Sequence, residues 1–171
     1  MRYPDSAREG ILAIIISILA LLATFYQLYL QRTHNEKSLK PLGQIDLPDY
    51  NKQLAVHIRN NGLGPLIIDR LLFIKDGQPY TAIDDCLDLD PKSYMRVAIT
   101  NAVKRVVLPN AHLVVFETRF DEHEGESEIN HARRQLALIT LKVEGRDIYD
   151  NKITLERDLQ WFSRYLRTKE S

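Results

Sequence analysis

The sequence has very little cysteine and no excess of charge of either sign. Cys86 is the only cysteine among 171 residues, so no disulfide can form within the chain. Lys and Arg together number 23, as do Asp and Glu, which gives a formal net charge of zero. A strongly basic domain is the usual sign of a nucleic-acid partner. We therefore expect no nucleic acid polymer as a partner.

Known catalytic motifs are also missing. The sequence contains no G-x-S-x-G, no P-loop and no G-x-G-x-x-G pattern. The segment HEGES begins at His123 like a zincin helix, but Ser127 stands where the second histidine is required. The acidic group Asp84, Asp85, Asp88 and Asp90 lacks the spacing of a calcium loop. We expect no catalytic residue, no metal site and no cofactor, and we interpret the protein as a non-enzyme.

One long apolar run stands near the N-terminus, over residues 10–30. Its length matches the ~20 residues that a helix rising ~1.5 Å per residue needs to cross ~30 Å of hydrocarbon. Arg8 and Arg32 bracket the run, and no charged residue interrupts it. A cleaved signal peptide is the alternative, but no A-x-A site follows the run. We predict a single transmembrane helix that is retained in the mature protein.

Small and polar residues recur along this span at alternating steps of three and four. They are Gly10, Ala13, Ser17, Ala20, Thr24, Gln27 and Gln31, here called the seam. Steps averaging 3.5 residues keep one helix face turned toward a neighbour, and small side chains let two backbones approach in lipid. We predict association through the seam, either as a homo-oligomer or with a membrane-protein partner.

The rest of the chain shows strand patterns. Leu54, Val56 and Ile58 alternate with polar residues, and the apolar run 66–74 is closed by a hairpin signal, Asp76-Gly77. Further strand patterns cover 95–100, 105–108, 113–116, 136–143 and 153–155, with a short one around Ile148 and turns at 101–102 and 144–146. Residues 121–134 form a polar insertion, for which we predict one helical turn at its end, and DLQWFSRYLR near the C-terminus has the spacing of a short amphipathic helix.

These patterns predict a mainly β protein. About eight short strands without alternating helices favour an antiparallel β-sandwich of immunoglobulin-like type, with a small closed β-barrel as the alternative. The predicted organisation is an N-terminal tail over 1–9, a transmembrane helix over 10–31, a linker over 32–42 and the β domain over 43–171.

A turn motif adds a resemblance. The segment NNGLGPLIIDRLLFIKDG, residues 60–77, is similar to a loosely defined set of bacterial single-pass membrane proteins of unknown function. In that set a β-sandwich carries an N-x-G-x-G-P turn, followed by a strand and a D-G hairpin. Because the function of that set is unknown, the resemblance implies architecture only. We predict structural roles in the turn for Asn60, Gly62, Gly64 and Pro65, and a bacterial inner membrane as the location of the chain. Backbone geometry alone also explains these turn residues, because Gly62 and Gly64 permit positive φ.

The side of the membrane follows from flanking charge. Arg2 and Arg8 precede the apolar run, and Arg32, Lys37 and Lys40 follow it, so the two sides nearly tie. The lone cysteine fits a reducing compartment. We predict that the β domain lies in the cytoplasm, with the periplasm as the alternative.

Two basic pairs are candidate contacts for a small anionic ligand: Lys104-Arg105 and Arg133-Arg134. The alternative is that they belong to solvated faces of a strand or helix. Two functions remain open. One is a membrane-anchored interaction or scaffold module, and the other is a ligand-gated, nucleotide-sensing membrane effector of a bacterial defence system.

Overall fold

The computed structural model describes residues 5–97, 99 and 104–169. The chain divides into two compact units, Met1–Ser38 and Leu39–Ser171. The described part of the first unit, residues 5–38, is one helix, and the second unit contains the strands.

Helix α1 runs from Asp5 to Ser38, over 34 residues. Among the described residues it is the one helix long and apolar enough to cross a membrane, and its large apolar side chains are exposed. It is longer than the predicted span, because residues 32–38, assigned above to the linker, are also helical. An i,i+4 ion pair between Arg32 and Glu36 at 3.1 Å and the basic residue Lys37 in the last turn favour this extension.

The second unit contains ten strands in its described part. They are β1 (Gly43–Asp46), β2 (Asp49–Tyr50), β3 (Gln53–Asn60), β4 (Leu66–Lys75), β5 (Gln78–Tyr80), β6 (Tyr94–Arg96), β7 (Arg105–Val107), β8 (His112–Arg119), β9 (Ile139–Arg146) and β10 (Lys152–Asp158). One sheet has the order β1-β3-β8-β6 with β2 beside β3, and the other has the order β10-β9-β4-β5 with β7 beside β4. Every described pairing is antiparallel.

Both sheets contribute to one hydrophobic core. Leu54, Val56 and Ile58 of β3 share it with Phe73 of β4 and Leu141 of β9. Two antiparallel sheets around a shared core agree with the predicted sandwich. The alternation in β3 and the apolar run of β4 are confirmed as strands, and both residues of the β4–β5 turn have positive φ, 52° at Asp76 and 76° at Gly77.

Two predicted boundaries in the later part of the chain are wrong. The strand predicted over 136–143 is β9, which begins three residues later, because Leu136 ends helix α2 (Glu126–Leu136). This helix lies in the predicted polar insertion and is longer than the single turn expected there. It buries Ile129, Ala132 and Leu136, a helical spacing, and has acidic residues in its first turn and basic ones in its last.

The segment after β9 also differs from the prediction. Residues 144–146 lie inside β9 rather than in a turn, and Gly145 is required there because an added Cβ would strike the backbone oxygen of Ile67. Residues 147–151 form a turn where a short strand around Ile148 was predicted. The side chain of Asp147 builds this turn by accepting hydrogen bonds from the backbone of Tyr149 and of Asn151 at 2.8 and 2.9 Å.

The remaining elements are short. A 3-10 helix spans Ile83–Cys86, in the region left open above, and another spans Leu159–Lys169, where Leu159 and Phe162 are fully buried. The strand predicted over 95–100 corresponds to β6, which the structure gives as Tyr94–Arg96. The predicted turn Asn101-Ala102 lies outside the described residues. Strands β1 and β2 were not predicted.

Candidate functional site

The seam residues lie on α1, and all of them are exposed. The Ser17 hydroxyl donates a hydrogen bond to the Ala13 carbonyl at 2.7 Å, and the Thr24 hydroxyl donates one to the Ala20 carbonyl at 2.9 Å. These hydroxyls are therefore satisfied within the helix and need no water or partner. The seam is thus a strip of small side chains, and Gln27 and Gln31 carry its remaining polar groups.

The N-x-G-x-G-P turn is organised by Asn60, which is fully buried. Its side-chain oxygen accepts hydrogen bonds from the backbone N–H groups of Leu42 at 3.2 Å and Gly62 at 3.0 Å. Its side-chain nitrogen donates to the carbonyls of Gly64 at 2.7 Å and Val107 at 3.0 Å. Its own backbone pairs with the loop before β8, at 3.0 Å to the Ala111 carbonyl and 2.8 Å from the Asn110 N–H. One side chain thereby joins both sheets to the segment that follows α1.

Gly62 and Gly64 are required for a different reason from the one predicted. Among the described glycines, Gly77 is the one with a positive φ, so Gly62 and Gly64 do not adopt that conformation. A Cβ at Gly62 would lie 2.7 Å from the carbonyl carbon of Pro41, and one at Gly64 would strike the carbonyl oxygen of Leu39. The glycines therefore allow residues 39–42 to lie against the turn. Pro65 directly precedes β4.

A cleft of about 410 Å³ lies beside β4, with charged and apolar residues in its wall. Its charged lining residues are Asp69, Arg70, Asp84 and Arg96, and Leu71, Ile83, Val97 and Ile99 are among the apolar ones. This volume lies within the range of ~300–1,000 Å³ that is common for small-molecule sites. The cleft is therefore the candidate ligand site of the β domain.

The charges around the cleft are paired. Arg96 Nε lies 2.6 Å from Asp84 Oδ2, and the Tyr94 hydroxyl donates a hydrogen bond to Asp84 Oδ1 at 2.6 Å. Burial and this hydrogen bond raise the pKa of Tyr94 to about 12. Lys104 Nζ lies 2.9 Å from Asp69 Oδ1, and this interaction holds the pKa of Asp69 below its usual value. An incoming ligand would have to exchange with these ion pairs.

Arg133, from the second predicted basic pair, forms a buried ion pair. Arg133 holds the carboxylate of Asp49 with two nitrogen atoms, Nη2 at 2.7 Å and Nε at 3.1 Å, and the Asp49 side chain is only 2% exposed. Arg164 Nη1 reaches the same carboxylate at 3.4 Å, and both guanidinium groups lie over the ring of Tyr165. Arg133 therefore braces α2 and the C-terminal 3-10 helix against β2.

The two predicted basic pairs do not form one site within the described residues. Lys104 and Arg105 lie at β7 beside Asp69, whereas Arg133 and Arg134 lie on α2, and no described hydrogen bond or ion pair connects them. Arg105 and Arg134 are exposed. Sequence reasoning missed Asp69 and Arg96 because single charged residues in strands carry no signal of their partners. Asp84 was noted only as part of an acidic run.

Two buried groups elsewhere have shifted pKa values. Burial, followed by the neighbouring His112 ring at 4.7 Å, lowers the pKa of His57, and Glu117 at 3.8 Å opposes this shift only in part. Burial raises the pKa of the Cys86 thiol to about 11, which disfavours the reactive thiolate form at neutral pH. Among the described residues, no group of three or more His, Cys, Asp or Glu is placed to hold a metal ion.

A comparison of the chain with protein-family models finds no match, and neither does a search of curated proteins.

Replacing Asn60 tests the importance of the turn. Asn60→Ala removes four hydrogen bonds and leaves buried N–H and C=O groups without partners, so we expect a loss of ~2–4 kcal/mol in the free energy of unfolding. Asn61→Ala is the matched control, since Asn61 is exposed and its side chain bonds only to Gln44 at 3.1 Å, and we expect a change within ~0.5 kcal/mol. Urea unfolding of the detergent-solubilised chain, followed by circular dichroism, measures both. Equal stability of the two variants would contradict the role given to Asn60.

Proposed function

We propose that this chain is a single-pass membrane protein in which α1 crosses the membrane and self-associates, while the β domain serves as a non-enzymatic interaction or scaffold module. The observation that carries the proposal is the apolar stretch of α1, which is long enough to span a bilayer and whose large side chains are all exposed. In water such a surface is unfavourable, whereas in lipid it is the preferred one.

The composition of the seam supports self-association. Ser17 and Thr24 satisfy their hydroxyl groups within the helix, so what they offer a neighbour is small size rather than a hydrogen bond. Small residues at a helix interface permit close backbone contact, which drives association where lipid supplies no hydrophobic effect. Gln27 and Gln31 are available to bond across the interface.

The two-sheet architecture supports a recognition role by analogy only. An immunoglobulin-like sandwich is a rigid scaffold whose loops commonly bind partners, and the resemblance of residues 60–77 to other bacterial membrane proteins points to the same architecture. The partner in this proposal is a protein, either a second copy of the chain or another membrane protein.

The seam is tested with one substitution at two positions. Ala20→Leu places a large side chain on the seam, and we expect dimerisation in membranes to weaken by ~1 kcal/mol, or about fivefold. Ala23→Leu is the same change off the seam and should leave dimerisation unchanged. Ser17→Ala should also be silent, because the hydroxyl it removes bonds within the helix. An in-membrane dimerisation reporter measures all three, and equal effects of Ala20→Leu and Ala23→Leu would refute the seam.

The proposal places the β domain on the cytoplasmic side of a bacterial inner membrane. The basic residues on the two sides of the apolar run nearly tie, and the acidic residues before the run favour this side, although acidic residues contribute little to the rule. We expect a reporter that is active only in the cytoplasm to be active when fused after Ser171, and a reporter that requires export to be inactive. The opposite pattern would place the domain in the periplasm.

The cleft beside β4 favours a second candidate, a ligand-gated membrane effector. A small anionic ligand, such as a nucleotide, would displace Asp84 from Arg96 and Asp69 from Lys104, and so disturb the loops around β4 and β7. Because every cation at the cleft already has a carboxylate partner, such a ligand must bind through exchange of these pairs.

This candidate predicts stabilisation by a ligand. Thermal unfolding of the solubilised chain with a panel of nucleotides should show an increase in Tm for at least one of them, and Arg96→Ala should abolish the increase. Arg119→Ala is the control, because Arg119 is also paired with a carboxylate, Glu117 at 3.1 Å, but lies outside the cleft beside β4. Equal increases in both variants, or none in the unsubstituted chain, would remove this candidate.

A further inference from the structure

The loops at one end of the β domain form a surface whose residues do not line the cleft beside β4. Residues 39–42, 61–65, 108–111 and 147–151 lie at the same end of the two sheets, as the pairings Gly43–Asn60, Leu66–Val107 and Arg146–Lys152 require. We call this surface the entry end, because the chain enters the β domain there at Leu39.

The entry end is unusually apolar for a set of loops. Each connection exposes at least one large apolar side chain: Leu42 at 57%, Leu63 at 67%, Leu108 at 61%, Ile148 at 46% and Tyr149 at 39%. Exposed loops are normally polar, and grouped apolar side chains on a surface mark a contact with a partner or a membrane. The fold does not explain these side chains, because they lie outside the core.

The charges of the entry end favour an anionic surface as its partner. Lys40 belongs to the entry end, and Lys152 and Arg105 lie on the strands β10 and β7 that lead into it. All three are exposed, and none of them has an ion pair among the described residues. The two acidic residues of the entry end contribute little free negative charge to its surface, because Asp150 pairs with Arg146 and Asp147 is only 3% exposed. Burial opposes the ionisation of Asp147, but hydrogen bonds from Asn151 and Tyr149 and the charge of Lys40 hold its pKa below the usual value.

The opposite end of the domain has the other sign of charge. Its connection after β8 carries Asp121, Glu122 and Glu124, all exposed. The backbone carbonyls of these residues accept hydrogen bonds from Lys52 at 3.0 Å, which places the acidic loop beside the start of β3. The domain is therefore basic and apolar at the end where the chain enters and acidic at the other end.

We propose that the entry end lies on the headgroup layer of an anionic phospholipid bilayer, with Leu63, Leu108, Ile148 and Tyr149 inserted among the lipids. This inference rests on the proposed function, since α1 must cross the membrane for lipid to lie near Leu39. Residues 32–38 add about 10 Å of helix beyond the apolar run, and a headgroup layer is about 5–8 Å thick. The chain therefore reaches Leu39 close to the lipid surface.

The entry end is preformed for such a contact. Asn60 holds the loops 39–42, 61–65 and 108–111 together, and Asp147 holds the turn 147–151. Loops that are already ordered lose little conformational freedom when they bind. Apolar tips with basic neighbours are also the combination that binds interfacially to anionic lipid.

The test uses the full chain in liposomes that contain phosphatidylglycerol. Leu63→Cys carries an environment-sensitive fluorophore at the entry end, and Leu138→Cys, an equivalent leucine that is 58% exposed at the opposite end, is the matched control. Cys86 does not compete for the label, because it is 1% exposed and its pKa is raised to about 11. We expect spin-labelled lipid to quench the Leu63 fluorophore at least about twofold more than the Leu138 fluorophore.

A second variant tests the apolar contact itself. Leu108→Asp in the Leu63→Cys background should reduce quenching, and because Leu108 is exposed the fold should be retained. Equal quenching at the two positions would overturn the inference. The inference would also be overturned if the Leu63 fluorophore were shielded from water but not quenched by lipid, and if the chain were crosslinked there to a second copy. Release of the chain from liposomes by alkaline carbonate would instead refute the transmembrane anchor, so the two failures are distinguishable.

Discussion

The hydrogen bonding of Asn60 is the constraint on which the β domain most depends. A buried amide is favourable only when its donors and acceptors are all satisfied, and here four side-chain hydrogen bonds meet that requirement. The partners come from residues 39–42, from the turn after β3 and from β7, so these three segments are held together at this end of the domain. Gly62 and Gly64 make the arrangement possible, because side chains there would collide with residues 39–42.

This arrangement also determines how the β domain is connected to α1. The helix ends at Ser38, and the next residues are held within the domain by Asn60 and by the Asn61 N–H, which bonds to the Leu42 carbonyl at 2.8 Å. Residues 39–42 are therefore part of the folded β domain rather than a free linker.

Local sequence signals predicted those parts of the structure that depend on nearest neighbours. The strand around Val56 and the hairpin at Asp76-Gly77 were correct, because extended backbone and positive φ have local sequence signals. The predicted burial of one face of β3 was not, because Ala55 and His57 are buried as well. The start of β9 was misplaced since Leu136 is equally suited to a strand and to the buried face of α2. The cleft could not be predicted, because the pairing of Asp84 with Arg96 joins residues from different elements, and no periodic pattern records it.

The turn after β3 contains Asn61-Gly62, an asparagine-glycine dipeptide of the kind most prone to deamidation. In a flexible peptide the backbone nitrogen of a glycine attacks the side-chain carbonyl carbon of the preceding asparagine and expels ammonia, which forms a succinimide. Water then opens this ring and gives aspartate or isoaspartate. Here the Gly62 N–H donates a hydrogen bond to the side-chain oxygen of Asn60 at 3.0 Å. The side-chain nitrogen of Asn61 donates one to the side-chain oxygen of Gln44 at 3.1 Å, so both reacting groups are held in other interactions. Deamidation must wait for this turn to open. The covalent lifetime of the protein at Asn61 is thus set by the same hydrogen bonds that hold the fold.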